Sequence, residues 1–156
     1  PVAYGRDGLA WGRGIFAIEE EGPRKIEGDM RAPAGVFSLG KIFGSDPAPP
    51  PGTTFPYHQV TAADCWIEDP AHPEYNRHVV VDPANPPAWH ERERMKQNDP
   101  AFRWRVEIRH NADPPVSGAG SAIFFHVRRG DRLSAGCTTL PEQELEAMIR
   151  WLQPEA

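Results

Sequence analysis

Ser121-Ala122-Ile123-Phe124-Phe125-His126-Val127 is apolar without a break up to its histidine, the pattern of a strand buried on both faces in the middle of a sheet. Other stretches supply neighbours. Trp104, Val106 and Ile108 alternate with Arg103, Arg105, Glu107 and Arg109, which predicts a half-buried strand. His78-Val79-Val80-Val81-Asp82 is β-branched and ends at a proline, and Gly14–Ile18 and Gly35–Leu39 are short, apolar and opened by glycine. One helix is clear. After Pro141, Glu142 and Glu144 occupy a first turn, and Leu145, Met148, Ile149 and Leu152 follow at i, i+3, i+4, i+7 before Pro154. Trp89–Asn98 reads as a second, short and polar helix. The expected fold is mainly β, with a C-terminal amphipathic helix and few short helices.

Composition agrees. Proline accounts for 18 of 156 residues, more than double the usual ~5%, which favours many short elements joined by fixed turns over long helices. The length suits one domain over 1–156, and Ala48-Pro49-Pro50-Pro51-Gly52 reads as a surface loop rather than a linker. Net charge is −5, which argues against nucleic acid as the main partner. No apolar run approaches the ~18 residues of a transmembrane segment. The chain opens at Pro1, so we expect a processed product or an excised piece whose secretory signal is already removed. Two cysteines, Cys65 and Cys137, allow at most one disulfide and exclude a cysteine-rich zinc site.

The densest chemical signal is His126 followed eleven residues later by Cys137 within Ser134-Ala135-Gly136-Cys137. A strand ending in histidine delivers an imidazole to a sheet edge, and a glycine-containing turn brings back a thiol. Gly136 lacks Cβ and can leave nearby amides open as an oxyanion hole. A cysteine needs such help, since an unassisted thiol is mostly protonated at neutral pH. Residue types alone leave two readings open, a catalytic pair or a buried cysteine beside a hydrogen-bonded histidine.

Further segments fill out a pattern. They include Gly28-Asp29-Met30-Arg31-Ala32-Pro33-Ala34-Gly35-Val36-Phe37, Gly5-Arg6-Asp7-Gly8, Lys25–Asp29, Trp66-Ile67-Glu68-Asp69 with Tyr75-Asn76-Arg77, and Gly118–His126. Together with Ser134-Ala135-Gly136-Cys137 and the final helix, they resemble the L,D-transpeptidases of the YkuD (ErfK/YbiS/YcfS/YnhG) type over most of the chain and in the same order. The resemblance implies a β-sandwich-like catalytic domain, without a cofactor or metal, acting on peptidoglycan stem peptides in the periplasm or cell envelope. Cys137 would attack a donor stem carbonyl, His126 would act as general base and then acid, and Ser134 and Gly136 would shape the turn and oxyanion hole. Carbapenem β-lactams are the expected inhibitors. Rival expectations are a thiol carboxypeptidase or endopeptidase of stems, and a non-catalytic envelope-binding module.

The chain departs from that family at Cys137-Thr138-Thr139, where many members carry a donor-binding arginine two residues after the nucleophile. This puts the usual crosslink position in doubt. Arg128, Arg129 and Arg132 are the candidates for gripping a substrate carboxylate instead, and Trp66, with Trp11 and Trp89, for lining a glycan groove. Elsewhere, His90-Glu91-Arg92-Glu93-Arg94 lacks the second histidine of a zinc protease helix, and Asp64, Glu68 and Asp69 read as a polar rim.

Overall fold

The computed structural model of the chain describes residues 2–154. Among these, the strands are β1 (Leu9–Trp11), β2 (Ala32–Ala34), β3 (Leu39–Gly44), β4 (Tyr57–Gln59), β5 (Asp64–Trp66), β6 (His78–Val80), β7 (Trp104–Ile108), β8 (Phe124–Val127) and β9 (Thr138–Leu140). Two α-helices accompany them, α1 (His90–Glu93) and α2 (Glu142–Trp151), with a 3₁₀ turn at Pro100–Phe102. The molecule is mainly β, as its periodicity predicts, and ends in the expected amphipathic helix.

The central sheet has the order β4-β3-β7-β8-β9, and β1-β2 and β5-β6 form separate two-stranded ribbons. The histidine-bearing strand β8 lies between antiparallel β7 and parallel β9, so both of its edges are paired, as an uninterrupted apolar run requires.

Strand alternation sorts side chains onto two faces. Ile42, Trp104, Val106, Val127 and Leu140 face α2 and pack on its Leu145 and Ile149. Phe43 and Phe124 face the other way and meet Val60, Trp66 and Met95, with Cys137 packed against them. The helix forms where the sequence places it because its acidic first turn complements the N-terminal dipole and its apolar stripe has a sheet to cover. Leu145 is fully buried in that stripe. Leu145→Ala should destabilise the fold by ~2–5 kcal/mol, read as a lower urea midpoint at unchanged slope.

The structure corrects several expectations. Gly14–Ile18 is not a strand; Ile15 and Phe16 are 58% and 63% exposed, with no ladder to join. The Gly35–Leu39 segment is the joint between two strands, because Gly35, at φ +148°, ends β2 before β3 begins at Leu39. β8 starts only at Phe124, since Ala122 is left-handed (φ +55°) and gives its N–H to the Asn76 side chain. The polar helix is a single turn, His90–Glu93. β7 is not half-buried: its polar face is covered too, and Arg105 is 4% exposed. Both cysteines are free, with Cys65 buried in β5.

Candidate active site

Register places the two candidate groups. β8 and β9 run parallel with Phe125 opposite Thr138 and His126 opposite Thr139. Cys137, one residue before β9, therefore aligns with Phe124 and shares a face with Phe124 and His126, as diagonal neighbours on adjacent strands. A parallel pairing requires the connection to run back the length of the strand. The segment between Val127 and Cys137 does this and returns the thiol beside the start of β8. His126 and Cys137 line one cleft of about 490 Å³.

The turn before Cys137 is held by Ser134. Its hydroxyl donates to the Cys137 carbonyl and accepts from the Gly136 N–H at 3.1 Å. The Gly136 amide is thus engaged within the turn rather than open to an incoming oxyanion. Gly136 has φ +157°, and a Cβ there would stand 3.1 Å from the Arg31 carbonyl. The glycine is required by this close approach of the 28–37 segment to the turn before Cys137.

His126 is buried and its Nδ1 lies 2.9 Å from the Val127 carbonyl. A carbonyl can only accept, so this contact favours the proton on Nδ1 in the neutral ring, and the Ala101 carbonyl also supports a ring proton. Burial lowers the His126 pKa, outweighing the support of the Val127 carbonyl, and Arg105 and Arg129 lower it further. Phe102 packs on the ring at 4.8 Å. The Cys137 sulfur is engaged with main chain, donating to the Ala122 carbonyl and accepting from the Phe124 N–H, both at 3.4 Å. Burial pushes the thiol up to about 11, against the pull of the Phe124 N–H, Arg105 and Lys25.

The resting pair is therefore a neutral thiol and a neutral imidazole. A pKa of about 11 leaves only ~10⁻⁴ of the sulfur as thiolate at pH 7. Iodoacetamide alkylation of Cys137, followed by peptide mapping, should keep rising with pH through pH 10. A plateau near pH 7 would show a preformed thiolate and contradict this arrangement.

The candidate binding residues divide. Arg129, Arg132 and Trp66 line the cleft and Arg128 does not; Arg128 donates instead to the Thr139 carbonyl at 3.3 Å. Arg129 is ion-paired with Asp99. Trp66 is fixed by its N–H to Asn76, at 3.1 Å, and by Phe124 edge-on at 4.9 Å. Trp11 and Trp89 are absent from this cleft's wall, so the tryptophans do not assemble into one groove.

Two wall residues, Arg105 and Phe102, were not candidates in the sequence, and Glu68, read there as part of a polar rim, joins them in the wall. Glu68 lines the main cleft and also a side pocket of about 230 Å³ bounded by Lys25, Glu27 and Cys137. It is accessible yet enclosed by cleft walls, and desolvation together with Glu27 and Glu93 raises its carboxyl to about 7. Lys25 is buried and held by Asp29 at 2.6 Å.

Among the described residues, His58, Asp64 and His78 form one group with metal-ligand atoms close together. Each imidazole Nε2 already meets Asp64 Oδ1, at 2.6 and 2.7 Å, while Thr61 donates to Oδ2. Burial opposes ionisation of Asp64, but these hydrogen bonds prevail and hold its carboxyl below the usual range. The group braces β4, β5 and β6 behind Trp66. No helix among the described residues is long and apolar enough to cross a membrane.

A cysteine and a histidine thus line one cleft on one face of a mixed sheet, behind a glycine turn packed on the 28–37 segment. No curated protein and no solved structure matches the chain. The family model for YkuD, the L,D-transpeptidase catalytic domain, matches residues 1–156, the whole length, and the chain belongs to that family.

Proposed function

We propose that the protein is an enzyme that crosslinks peptidoglycan stem peptides in the bacterial envelope through a thioacyl intermediate on Cys137. The observation that carries this reading is the placing of Cys137 and His126 in one cleft on one sheet face. In the proposed cycle the sulfur leaves the Ala122 carbonyl by rotation about its side-chain bond and attacks a donor carbonyl. His126 Nε2 takes the thiol proton as the carbon–sulfur bond forms. The Cys137 N–H is assigned to the oxyanion, because the Gly136 N–H is committed to Ser134. Collapse breaks the donor peptide bond, and the imidazolium returns its proton to the leaving amine. The acceptor amine then attacks the thioester, yielding a new peptide bond and restoring the thiol.

The side pocket favours an amine over water in that second half. Glu27 and Glu68 line it next to Cys137, and carboxylates attract an ammonium group. A carboxyl whose pKa is near 7 is also matched to removing the ammonium proton at neutral pH. The absence of an arginine at Thr139 goes with a crosslink position other than the usual one. A carbapenem would acylate the same sulfur.

Incubation of the protein with disaccharide-tetrapeptide, read by mass spectrometry, tests the proposal. Crosslinked dimer with loss of the donor's terminal residue is expected, and fragmentation identifies the joined residues. Shortened monomer without dimer would instead make the enzyme a hydrolase.

A further inference from the structure

The strand opposite His126 carries a charge that the fold does not explain. Arg105 is 4% exposed, its Nη2 donates to the Lys96 carbonyl at 2.5 Å, and its Nε is buried without an acceptor. No carboxylate ion-pairs with it among the described residues, and Asp99 and Asp64 support its charge only from beyond ion-pair distance. The Phe102 ring, 4.9 Å away, offers only its π face. A desolvated guanidinium normally has a hydrogen-bonded counter-charge, because removing it from water alone is costly.

Its surroundings indicate what is missing. β7 sets Arg105 directly opposite His126, and β9 sets Thr139 opposite His126 on the other flank, so the three side chains form one row on the cleft face. Arg105 lines the cleft with Cys137. Lys96 and Arg129 stand over the same Phe102 ring at 5.7 and 5.4 Å. Arg129 is neutralised by Asp99 and Lys96 is exposed, which leaves Arg105 as the buried cation of this end. The basic character is local, in a chain whose net charge is −5. Burial lowers the Arg105 pKa to about 10, so it is charged at neutral pH.

We propose that Arg105 is the carboxylate receptor of the cleft, binding a carboxylate of the donor stem peptide beside the reacting sulfur. A planar guanidinium lining the cleft suits a carboxylate geometrically, as an ammonium does not. The identity of the carboxylate as the donor's rests on the acyl-transfer reading above; an anion site at Arg105 does not.

The test compares disaccharide-tetrapeptide with its C-terminal carboxamide, in wild type, Arg105→Met and Arg105→Lys. Two readouts are used, acyl-transfer kcat/KM and protection of Cys137 from iodoacetamide by each peptide. Wild type should prefer the carboxylate by ~10–100-fold. Arg105→Met should lose that preference, falling further on the carboxylate donor than on the amide until the two react alike. Arg105→Lys should retain a reduced preference, and Thr139→Arg in the Arg105→Met background should restore part of it from the other flank of His126. Arg105→Met should move the alkylation profile without peptide toward higher pH, since Arg105 pulls on the Cys137 thiol, and this shift is common to both donors and cannot by itself create or remove a preference between them.

Equal losses on both donors, or a wild type that does not distinguish them, would overturn the proposal. So would a shifted alkylation profile with the preference intact, since Arg105 would then act through the thiol. If Arg105→Met does not fold, Arg105→Lys decides, and an unchanged preference there overturns the proposal as well. Protection needs no turnover. A wild type that makes no dimer but is protected by the carboxylate peptide alone would keep the anion site and remove the transferase reading.

Discussion

Cys137→Ala should yield no crosslinked dimer and no carbapenem adduct, with turnover reduced on the order of 10⁴-fold or more. The loss is this large because every covalent step passes through one sulfur, and no other nucleophile occupies its position. Ser134, three residues away, is tied to the Cys137 carbonyl and the Gly136 N–H and cannot substitute. Cys65 is fully buried in β5. The variant should still fold, since Cys137 sits at the edge of the Phe43–Trp66–Phe124 cluster and loses one atom to a lined cleft. Unfolding midpoints should therefore move little, by ~1 kcal/mol or less. Dimer formed equally by wild type and Cys137→Ala would end the nucleophile assignment. Retained sacculus binding with no wild-type adduct would favour a binding module.

The second large effect is on His126. His126→Gln keeps a side chain able to donate to the Val127 carbonyl but has no basic nitrogen. Acyl-enzyme formation should fall ~10²–10⁴-fold, the usual value of a positioned general base. The dependence is steep here because the thiol is protonated at rest: with its pKa raised to about 11, the sulfur must lose its proton during attack. The pH profile supplies an independent check. Burial depresses the His126 pKa below its ordinary 6.5, so the ring stays neutral and competent as pH falls through 6.5. Wild-type acyl-enzyme formation should decline only below that point, where the ring takes a proton. His126→Gln should show low activity without this acid limb, rising toward high pH with the thiolate. If the limb survives in His126→Gln, another group is the base. Glu68, whose carboxyl is raised to about 7, is the first to examine.

Local features of the chain announced some of this and hid the rest. Helix α2 was readable because its apolar positions, acidic first turn and closing proline all lie within one short window. The core of β8 was readable because a strand paired on both edges and covered on both faces is apolar throughout. Gly14–Ile18 looked like a strand by the same criterion, but strand formation needs a partner ladder, and none reaches it. Thr138–Leu140 and Tyr57–Gln59 are too short and mixed to be called from periodicity; their pairing with β8 and β3 makes them strands.

The candidate site divides in the same way. His126, Cys137, Ser134 and Gly136 could be proposed from the chain because they fall within a dozen residues that resemble the family's motif. Arg105 could not. Alternation put it on what looked like the wet side of β7, and nothing local reveals that the 3₁₀ turn at Pro100–Phe102 and the cleft wall cover that side. Glu68 was passed over as a rim residue, and its neighbours Glu27 and Glu93 come from distant parts of the chain.

Periodicity and residue type are properties of neighbours along the backbone, and they were enough for the class of fold and the closing helix. Burial and charge pairing depend on which segments meet across the sheet. Those long-range contacts raised the thiol pKa further by burial, removed Arg128 from the cleft and placed a buried Arg105, without an ion-pair partner among the described residues, beside His126.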